Sequence, residues 1–341
     1  MASVRNARVV FSEIPQGVPD PQRSVKYDES ELIDLDNVPL NGGFLAKAVA
    51  LSIDPYMRNR MREAHIVQRF SPFLLGKPLV NYGVGRVIRS EHPGIKPGDY
   101  FHRKDLSFQE YSVIPDLSDV YVLTNEQKLP WTLYCGVAGM AGQTAWMGWH
   151  EYAAPKPGDV CFVTAAGGPV GSFVIQLAKA AGCKVVASAG SADKLQFARE
   201  CGADVVFNYK TASTADVLQQ EGPVNIYWDN VGGTSLDAAL AHSANSARFI
   251  ECGMISTING ESPHVKNLGM IVGNDLKVFG FIVGTLLPRY EDAFYGEVPR
   301  LVAEGKIRYR EDVKKGLQYV GQAIYEVQTG GNKGKSVISL E

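Results

Sequence analysis

The chain has 341 residues, of which 45% are hydrophobic and 21% are charged, and its formal net charge is −2. This composition is typical of a globular protein with an ample core, and the length predicts one large or two ordinary domains. The small net charge gives no electrostatic footprint for nucleic acid or an anionic membrane, and no apolar run approaches the length of a membrane span.

The first part of the chain, to about residue 128, alternates short apolar runs with Gly and Pro turns, as in ARVVFSEIP and HPGIKPGDYF. This pattern predicts irregular β structure with a barrel-like closure. A basic stretch within it is interpreted as a solvated face; it contains Arg58, Arg60, Arg62 and Arg69. The N-terminus lacks the long apolar segment of a signal peptide, and we expect a cytoplasmic protein.

After about residue 130, strand-like runs alternate with helical ones, which predicts a doubly wound parallel sheet. The strand-like runs are VCFVTA, KVVASA, DVVFNY, NIYWDNV, ARFIECGMIS and LKVFGFIV. Helices are predicted at 170–181, 191–201 and 234–243. The chain closes with a helical segment, LQYVGQAIYEVQTGG, and a strand, KSVISL. An α/β segment is therefore inserted between two ends that are able to pair in one domain.

The most informative segment is VCFVTAAGGPVG at 160–171, where an apolar run breaks at a small-residue turn and a helix follows at once. Ala165, Gly168 and Gly171 form a variant of GxGxxG in which Ala replaces the first Gly. The free backbone N–H groups and the dipole at such a helix start favour a dinucleotide pyrophosphate. Strand, glycine turn, helix and strand form a βαβ unit typical of NAD(P) enzymes, although any small-residue turn in a parallel sheet produces a similar pattern.

The end of the next strand indicates which dinucleotide is bound. In an NAD site an acidic residue about 20 positions after the glycines holds the ribose 2′-OH, and no carboxylate ends this strand. Gly190 and Ser191 offer backbone and hydroxyl donors instead, and Lys194 lies one turn into the following helix. Asp193 is an objection, since it lies beside Lys194. The missing acid favours NADPH.

With these pieces placed, the chain resembles the medium-chain dehydrogenase/reductase superfamily along essentially its whole length. More narrowly, it is similar to the zinc-independent, NADPH-dependent 2-alkenal (double-bond) reductases, which include the leukotriene B4 12-hydroxydehydrogenase/prostaglandin reductase enzymes. The segments that carry the resemblance are SIDPYMRNRM, NYGVGRVIRSEHPGIKPGD, TAAGGPVG, ASAGSADK, FNYK, YWDNVGG, ECGMIS and GGNKGK.

The resemblance implies a catalytic domain with a GroES-like β-barrel core, built from 1–128 and 304–341. A Rossmann NADP-binding domain at 129–303 is inserted in it, and the active site lies in the cleft. It also implies a homodimer, and reduction of a C=C bond conjugated to an aldehyde or ketone. In this reaction NADPH delivers hydride to the β-carbon, and the enolate is protonated at the α-carbon.

The resemblance also assigns the site residues. Tyr56 and Tyr82 match positions that line the substrate pocket, where their phenols donate to the carbonyl oxygen; without the resemblance each reads as an ordinary half-buried tyrosine. The positions that match cofactor contacts are Gln143, Thr144, Ala165, Gly168, Pro169, Val170, Gly171, Gly190, Ser191, Lys194, Tyr209, Asn230, Cys252, Gly253, Ile255, Phe281, Val283, Asn332 and Gly334.

Two positions depart from the family pattern. Family enzymes often carry a Tyr in ISQYN, but this chain has Ile258, so a hydrogen-bond donor is lost there and water or Tyr56 is left to supply the proton. Gln143 stands where Met is usual. It either bonds the cofactor carboxamide or a substrate oxygen, or is a buried Gln paired with backbone.

Zinc is not expected. Catalytic zinc needs about three converging N, S or carboxylate ligands, and the His-Glu pair that zinc-dependent relatives carry before Asn81 is absent. The five cysteines occur singly, without CxxC, which predicts reduced thiols. The histidines, including His65, His92 and His102, are interpreted as isolated surface residues.

The leading functional hypothesis is an NADPH-dependent enal and enone reductase that takes a small-molecule substrate. A zinc-independent quinone reductase is the first alternative, because it shares the Rossmann half. A non-catalytic NADPH-binding protein is the second, and the Ile258 departure is its support. Retention of Tyr56 and Tyr82 favours an enzyme.

Overall fold

The computed structural model describes residues 3–260 and 263–341, and the chain divides into two compact units. Unit 1 comprises Met1–Gly139 and Glu311–Glu341, and unit 2 comprises Met140–Arg310. The predicted divisions, after 128 and 303, fall earlier. Trp131 belongs with unit 1 because its ring stacks on Tyr100 at 3.9 Å. The segment after 303 belongs with unit 2 because the backbone N and O of Arg308 both bond the Gln176 side chain.

The first part of unit 1 is built almost entirely of short strands, as the Gly- and Pro-punctuated sequence predicts. Its elements are β1 (Val4–Arg5), β2 (Arg8–Phe11), β3 (Val25–Asp28), β4 (Leu32–Ile33), β5 (Phe44–Ser52), α1 (Met57–Arg60), β6 (Val80–Ser90), β7 (Tyr100–Ser107), β8 (Tyr111–Ile114) and β9 (Val120–Leu123).

Unit 2 alternates helices and strands. Its elements are α2 (Met140–Gly148), β10 (Val160–Val163), α3 (Pro169–Ala180), β11 (Lys184–Ala189), α4 (Ala192–Glu200), β12 (Val205–Asn208), α5 (Thr214–Glu221), β13 (Val224–Asp229), α6 (Gly233–Ala241), β14 (Ser243–Glu251), α7 (Met270–Gly273), β15 (Lys277–Gly280) and α8 (Leu287–Ala303). The three predicted helices correspond to α3, α4 and α6, whereas the sequence analysis did not identify α5 and α8.

The unit 2 strands form one parallel sheet in the order β12-β11-β10-β13-β14-β15. The strand order reverses between β10 and β13, and in sheets of this kind ligands bind beyond the carboxyl ends of the strands at that reversal. The buried core is apolar on the strands and on the facing helices, with Phe162, Val186, Tyr227 and Phe249 among its residues. The predicted doubly wound sheet is confirmed.

The end of the chain returns to unit 1 through β16 (Glu311–Lys315), α9 (Val320–Thr329) and β17 (Lys335–Ser339). The unit 1 sheet runs β16-β17-β5-β6-β7-β9, and β8 pairs with β5. Val337 of β17 is in register with Ser52 of β5, so the two ends of the chain share one sheet. Within the described residues, no helix combines the length and the apolar character needed to cross a bilayer.

Two arginines of the basic stretch are buried, so its interpretation as a solvated face is wrong for them. Arg60 and Arg62 are 6% and 9% exposed. The Arg60 guanidinium donates to the backbone carbonyls of Ser71 and Val80, and that of Arg62 donates to those of Ile66 and Phe70. The irregular segment after α1 has few ladder partners, and the multiple donors of a guanidinium satisfy its carbonyls.

Candidate functional site

The glycine turn of unit 2 joins the buried strand β10 to α3. Ala165 adopts a left-handed backbone conformation with φ of 49°, and Gly168 occupies the N-cap position of α3 without any side-chain cap. A Cβ atom on Gly171 would lie 2.7 Å from the Ala165 carbonyl oxygen. Only Gly therefore lets the first turn of the helix pack this closely against the turn. The uncapped helix start, with Pro169 and Val170 in its first turn, leaves backbone N–H groups open to an anion.

Two lysines lie beside the end of β11: Lys194 is on α4, and Lys210 follows β12. A Cβ on Gly167 would lie 2.6 Å from Lys194 Cβ, so the Lys194 stem crosses the glycine turn. A Cβ on Gly190 would meet the Tyr209 hydroxyl at 2.9 Å and Lys210 Cε at 3.1 Å. Burial lowers the pKa of Lys194, and the neighbouring Lys210 ammonium lowers it further. Two cations held this close together are a candidate site for a multiply charged anion such as a ribose 2′-phosphate.

Asp193 acts on the charge of Lys194, and its carboxylate also forms an ion pair with Arg310 at 2.9 Å, so its negative charge is shared between two cations. Ser191 is the N-cap residue of α4, but its side chain makes no cap hydrogen bond, which leaves the hydroxyl for a ligand. The sequence analysis did not identify Lys210. Its position directly after Tyr209 in FNYK was the signal that could have found it.

We expect replacement of Lys194 or Lys210 by Ala to weaken NADPH binding by about tenfold each, since a hydrogen bond to a charged group contributes about 1.5–3 kcal/mol. NADH lacks the 2′-phosphate, so its affinity should stay within about twofold of the parent value. Fluorescence titration with both nucleotides measures the difference. Lys306→Ala removes an exposed lysine of the same unit and serves as the control; an equal loss for both nucleotides would contradict the assignment.

The carboxyl ends of β10, β13 and β14 are tied together by Asp229. Its carboxylate accepts the backbone N–H groups of Val231 and Gly232, each at 2.8 Å, and its carbonyl oxygen accepts those of Cys252 and Gly253, each at 3.0 Å. The loops that follow β13 and β14 are therefore fixed at the sheet edge where the strand order reverses.

Asn230, the next residue in the chain, is held against Thr164 at the end of β10. Its side-chain amide donates to the Thr164 carbonyl at 2.7 Å, and its backbone N–H donates to the Thr164 hydroxyl at 2.8 Å. Ile255 in turn donates its backbone N–H to the Asn230 carbonyl at 3.3 Å. Four of the predicted cofactor residues, Asn230, Cys252, Gly253 and Ile255, thus lie together beside the end of β10.

A second carboxyl group lies beside Asp229. Glu251 is its register partner on β14, so the two side chains extend from the same face of the sheet. Burial raises the pKa of Glu251 to about 8, and the charge of Asp229 contributes to the rise. Burial also raises the pKa of Asp229. Glu251 is therefore protonated at neutral pH, because two adjacent buried negative charges are unfavourable.

This proton gives a pH-dependent contribution to stability. Between its usual value of 4.5 and about 8, folded Glu251 keeps a proton that the unfolded chain releases, so the free energy of unfolding falls as pH rises through this window. We expect Glu251→Gln to remove this fall. The free energy of unfolding of the variant, measured by chemical denaturation, should therefore rise relative to that of the parent from pH 6 to 9. Glu304→Gln removes an exposed carboxylate whose pKa is lowered by Lys306, and its free energy of unfolding should differ from that of the parent by a constant amount over this range. A constant difference for Glu251→Gln as well would show that Glu251 does not keep a proton at neutral pH.

Gln143 and Thr144 lie on α2. Gln143 is 1% exposed, and its amide donates to the Tyr295 hydroxyl of α8 at 3.3 Å. Gln143 is thus buried and paired, with a side chain and not backbone as its partner, and its contact with the cofactor stays a prediction. Thr144 bonds the Met140 carbonyl one turn earlier.

Other predicted cofactor residues follow β15 or precede β17. The Phe281 ring packs edge-on against the Trp228 ring, with 6.0 Å between the ring centroids. Val283 is 6% exposed. In unit 1, the Asn332 amide donates to the Gly334 carbonyl at 2.8 Å, and Gly334 has φ of 82°, a value that favours glycine. This turn leads directly into β17.

The two candidate catalytic tyrosines lie in unit 1. Tyr82 sits at a shift in register between β6 and β7, an irregularity of the kind that re-aims side chains near sites. Its ring stacks on His102 at 5.5 Å. His102 is 4% exposed, and burial lowers its pKa to about 4. The interpretation of His102 as a surface residue is wrong, because β7 places it inside the sheet.

Tyr56 begins α1, and its ring lies 5.2 Å from that of Phe70. Its hydroxyl donates to the side-chain oxygen of Asn81. Burial raises the pKa of Tyr56 well above its usual value, and Asp54 adds to the effect. The phenol is therefore a neutral hydrogen-bond donor across the physiological range. Within 3–260 and 263–341, no three His, Cys, Asp or Glu side chains are grouped to hold a metal ion.

Comparisons with known proteins agree with this geometry. Residues 169–302 match the family model for zinc-binding dehydrogenases, and residues 7–121 match that for the N-terminal domain of oxidoreductases. The chain is 36% identical to (+)-pulegone reductase from Mentha piperita, with 88% of each chain covered. It is 35% identical to 2-alkenal reductase (NADP(+)-dependent) from Nicotiana tabacum, with 99% of this chain and 98% of the other covered.

Among solved structures, CurA from Vibrio vulnificus in complex with NADPH matches with a TM-score of 0.88 at 30% identity, covering 98% of this chain and 99% of the other. The glycine turn and the pairing of the two chain ends are both features that the resemblance implies. The chain belongs to the medium-chain dehydrogenase/reductase family, in its NADPH-dependent, zinc-independent branch of double-bond reductases.

Proposed function

We propose that this protein reduces the C=C bond of α,β-unsaturated aldehydes and ketones with NADPH. The observation that carries the proposal is the pair of tyrosines in unit 1, Tyr56 and Tyr82, because a neutral phenol stabilises a developing enolate without first losing its proton. The relatives named for 2-alkenal and pulegone reduction support the substrate class.

The chain's own residues bind and polarise the substrate. When bound, NADPH supplies the hydride that adds to the β-carbon. Tyr56 and Tyr82 donate to the carbonyl oxygen as it becomes an enolate, and these hydrogen bonds strengthen with the negative charge that develops there. Ile258 offers no donor, so the α-carbon takes its proton from water or from Tyr56.

The cofactor residues divide into two groups. The helix start after the glycine turn takes the pyrophosphate, and Ser191, Lys194, Tyr209 and Lys210 hold the 2′-phosphate and ribose end. The loops fixed by Asp229 contact the nicotinamide half. The remaining predicted contacts, Gln143, Thr144, Phe281, Val283, Asn332 and Gly334, are part of the proposal through the resemblance.

NADPH consumption with a linear 2-alkenal, an aryl enone and a quinone tests this function, with NADH in parallel and products identified. A saturated carbonyl product with NADPH preferred is the expected result. Hydroquinone as the sole product would move the protein to the quinone reductases. Binding of NADPH without turnover of any of the three substrates would favour the non-catalytic alternative.

The proposal includes a homodimer in the cytoplasm. Within the described part of the sheet, β15 is an edge strand, and Val278 on it is 44% exposed, while the nearby Val272 is 87% exposed. Such an edge is open to pairing with a second copy. Light scattering on the purified protein tests the dimer, and Val278→Lys should shift the protein to the monomer.

The five free cysteines support a reducing compartment, which cell fractionation tests.

A further inference from the structure

A buried ion pair lies behind Tyr56 in unit 1. Lys335 of β17 and Asp54 are 3% and 4% exposed, and the Lys335 ammonium donates to the Asp54 carboxylate at 2.7 Å and to the Ile53 carbonyl at 2.6 Å. The Lys335 stem packs on Gly136, where an added Cβ would approach it to 3.1 Å. The cation is therefore enclosed on several sides, and its carboxylate partner is not a surface group.

The other oxygen of Asp54 fixes the Asn81 amide. Asn81 is fully buried, and its nitrogen donates to Asp54 at 2.9 Å and to the Ser52 carbonyl at 2.8 Å. Both amide hydrogens are thus used, so the amide cannot turn over without losing two hydrogen bonds. Its oxygen accordingly faces Tyr56, whose hydroxyl donates to it.

We propose that Lys335 is a positioning residue for the reductase reaction, acting on Tyr56 through Asp54 and Asn81. The inference rests on the proposed function, in which Tyr56 contacts the substrate. Without the ammonium, Asp54 is a buried carboxylate with no cation; it then takes up a proton or draws in water. Either change alters what Asn81 bonds, and the Tyr56 oxygen loses its fixed position.

The Asn81 oxygen, which accepts the Tyr56 hydrogen, also makes Tyr56 stabilise the transition state more than the bound substrate. An amide oxygen and a ground-state carbonyl are acceptors of similar strength, so Tyr56 gains little by leaving Asn81 when substrate binds. An enolate oxygen carries charge and is the stronger acceptor. Rotation about the phenol C–O bond then moves the hydrogen from Asn81 to the enolate without moving the ring. The network therefore lets Tyr56 stabilise the enolate more than the substrate.

A double-mutant cycle tests the inference. Lys335→Met keeps an unbranched side chain one atom shorter and removes its charge, and we expect kcat/KM for an enone to fall about tenfold, mostly in kcat. In a Tyr56→Phe background the same substitution should change kcat/KM by less than about twofold, because the group through which it acts is gone. NADPH affinity should not change in either background. Lys314→Met removes a lysine of unit 1 that pairs with Asp312 and Glu326, and should leave kcat/KM unchanged.

If Lys335→Met does not fold, Asp54→Leu with Lys335→Met replaces the ion pair by apolar groups, an exchange that is often neutral for stability. The paired variant should show the same loss and the same dependence on Tyr56. Equal losses in the two backgrounds, or full activity of the folded variant, would overturn the positioning role. An inactive parent enzyme would instead overturn the proposed function, and a fully active Tyr56→Phe would overturn the role of Tyr56 and the inference with it.

Discussion

Gly171→Ala is expected to lower NADPH affinity by about 100-fold, which corresponds to about 2.7 kcal/mol. The added methyl would lie 2.7 Å from the Ala165 carbonyl oxygen and 3.1 Å from Ala166 Cα, and both atoms are backbone. The turn can relieve such contacts only by moving, and overpacking of this kind costs about 1–3 kcal/mol. Movement of the turn withdraws the helix start from the pyrophosphate. Fluorescence titration with NADPH measures the loss.

Gly296→Ala is the matched control. Gly296 also lies in a helix, α8, but an added Cβ there meets nothing within 4 Å. This exchange should leave NADPH binding unchanged and stabilise the fold by about 0.5–1 kcal/mol. A Gly171→Ala protein that binds NADPH as tightly as the parent would show that the turn does not hold the pyrophosphate.

Tyr56→Phe is expected to lower kcat for enone reduction by about 100-fold, the lower end of the effect of removing one donor to a developing oxyanion. NADPH affinity should be unchanged, since Tyr56 contacts the substrate and not the cofactor in the proposed function. Because burial raises the pKa of Tyr56 well above 10, loss of its proton should produce no fall in the parent's activity below pH 10. Steady-state kinetics across pH measure both effects.

Tyr134→Phe controls for the loss of a phenol elsewhere in unit 1. Tyr134 is buried, and its hydroxyl donates to Asn125 at 3.0 Å. Its replacement should cost stability with little change in kcat. If the two variants lose activity equally, the effect at Tyr56 comes from folding and not from the stabilisation of an enolate.

The doubly wound half could be predicted because its signals are local. Apolar residues at steps of three and four marked α3, and Gly182, with φ of 79°, follows its end as expected. The glycine turn and the acid-free end of β11 likewise lie within short segments. By contrast, the sequence analysis did not identify α5 and α8, although FNYK lies just before α5.

The candidate site in unit 1 could not be predicted to the same depth, because its partners are distant in the chain. Asp54 and Lys335 are 281 positions apart, and nothing in either segment indicates the other. Arg60 and Arg62 looked like solvent-facing charges, but they bond backbone carbonyls that only the folded loop brings near them. His102 was misplaced for the same reason: one strand pairing decides whether its ring faces water or Tyr82.

The insertion of unit 2 into unit 1 sets an order on biosynthesis. Unit 2 is a continuous segment and can fold as it leaves the ribosome, whereas the unit 1 sheet lacks β16 and β17 until the last residues emerge. Until then Asp54 has no cation, and the edge of β5 that pairs with β17 is open. In the proposed function, the nascent chain therefore completes the unit that binds the nucleotide before Lys335 reaches Asp54 and Tyr56 takes its fixed position.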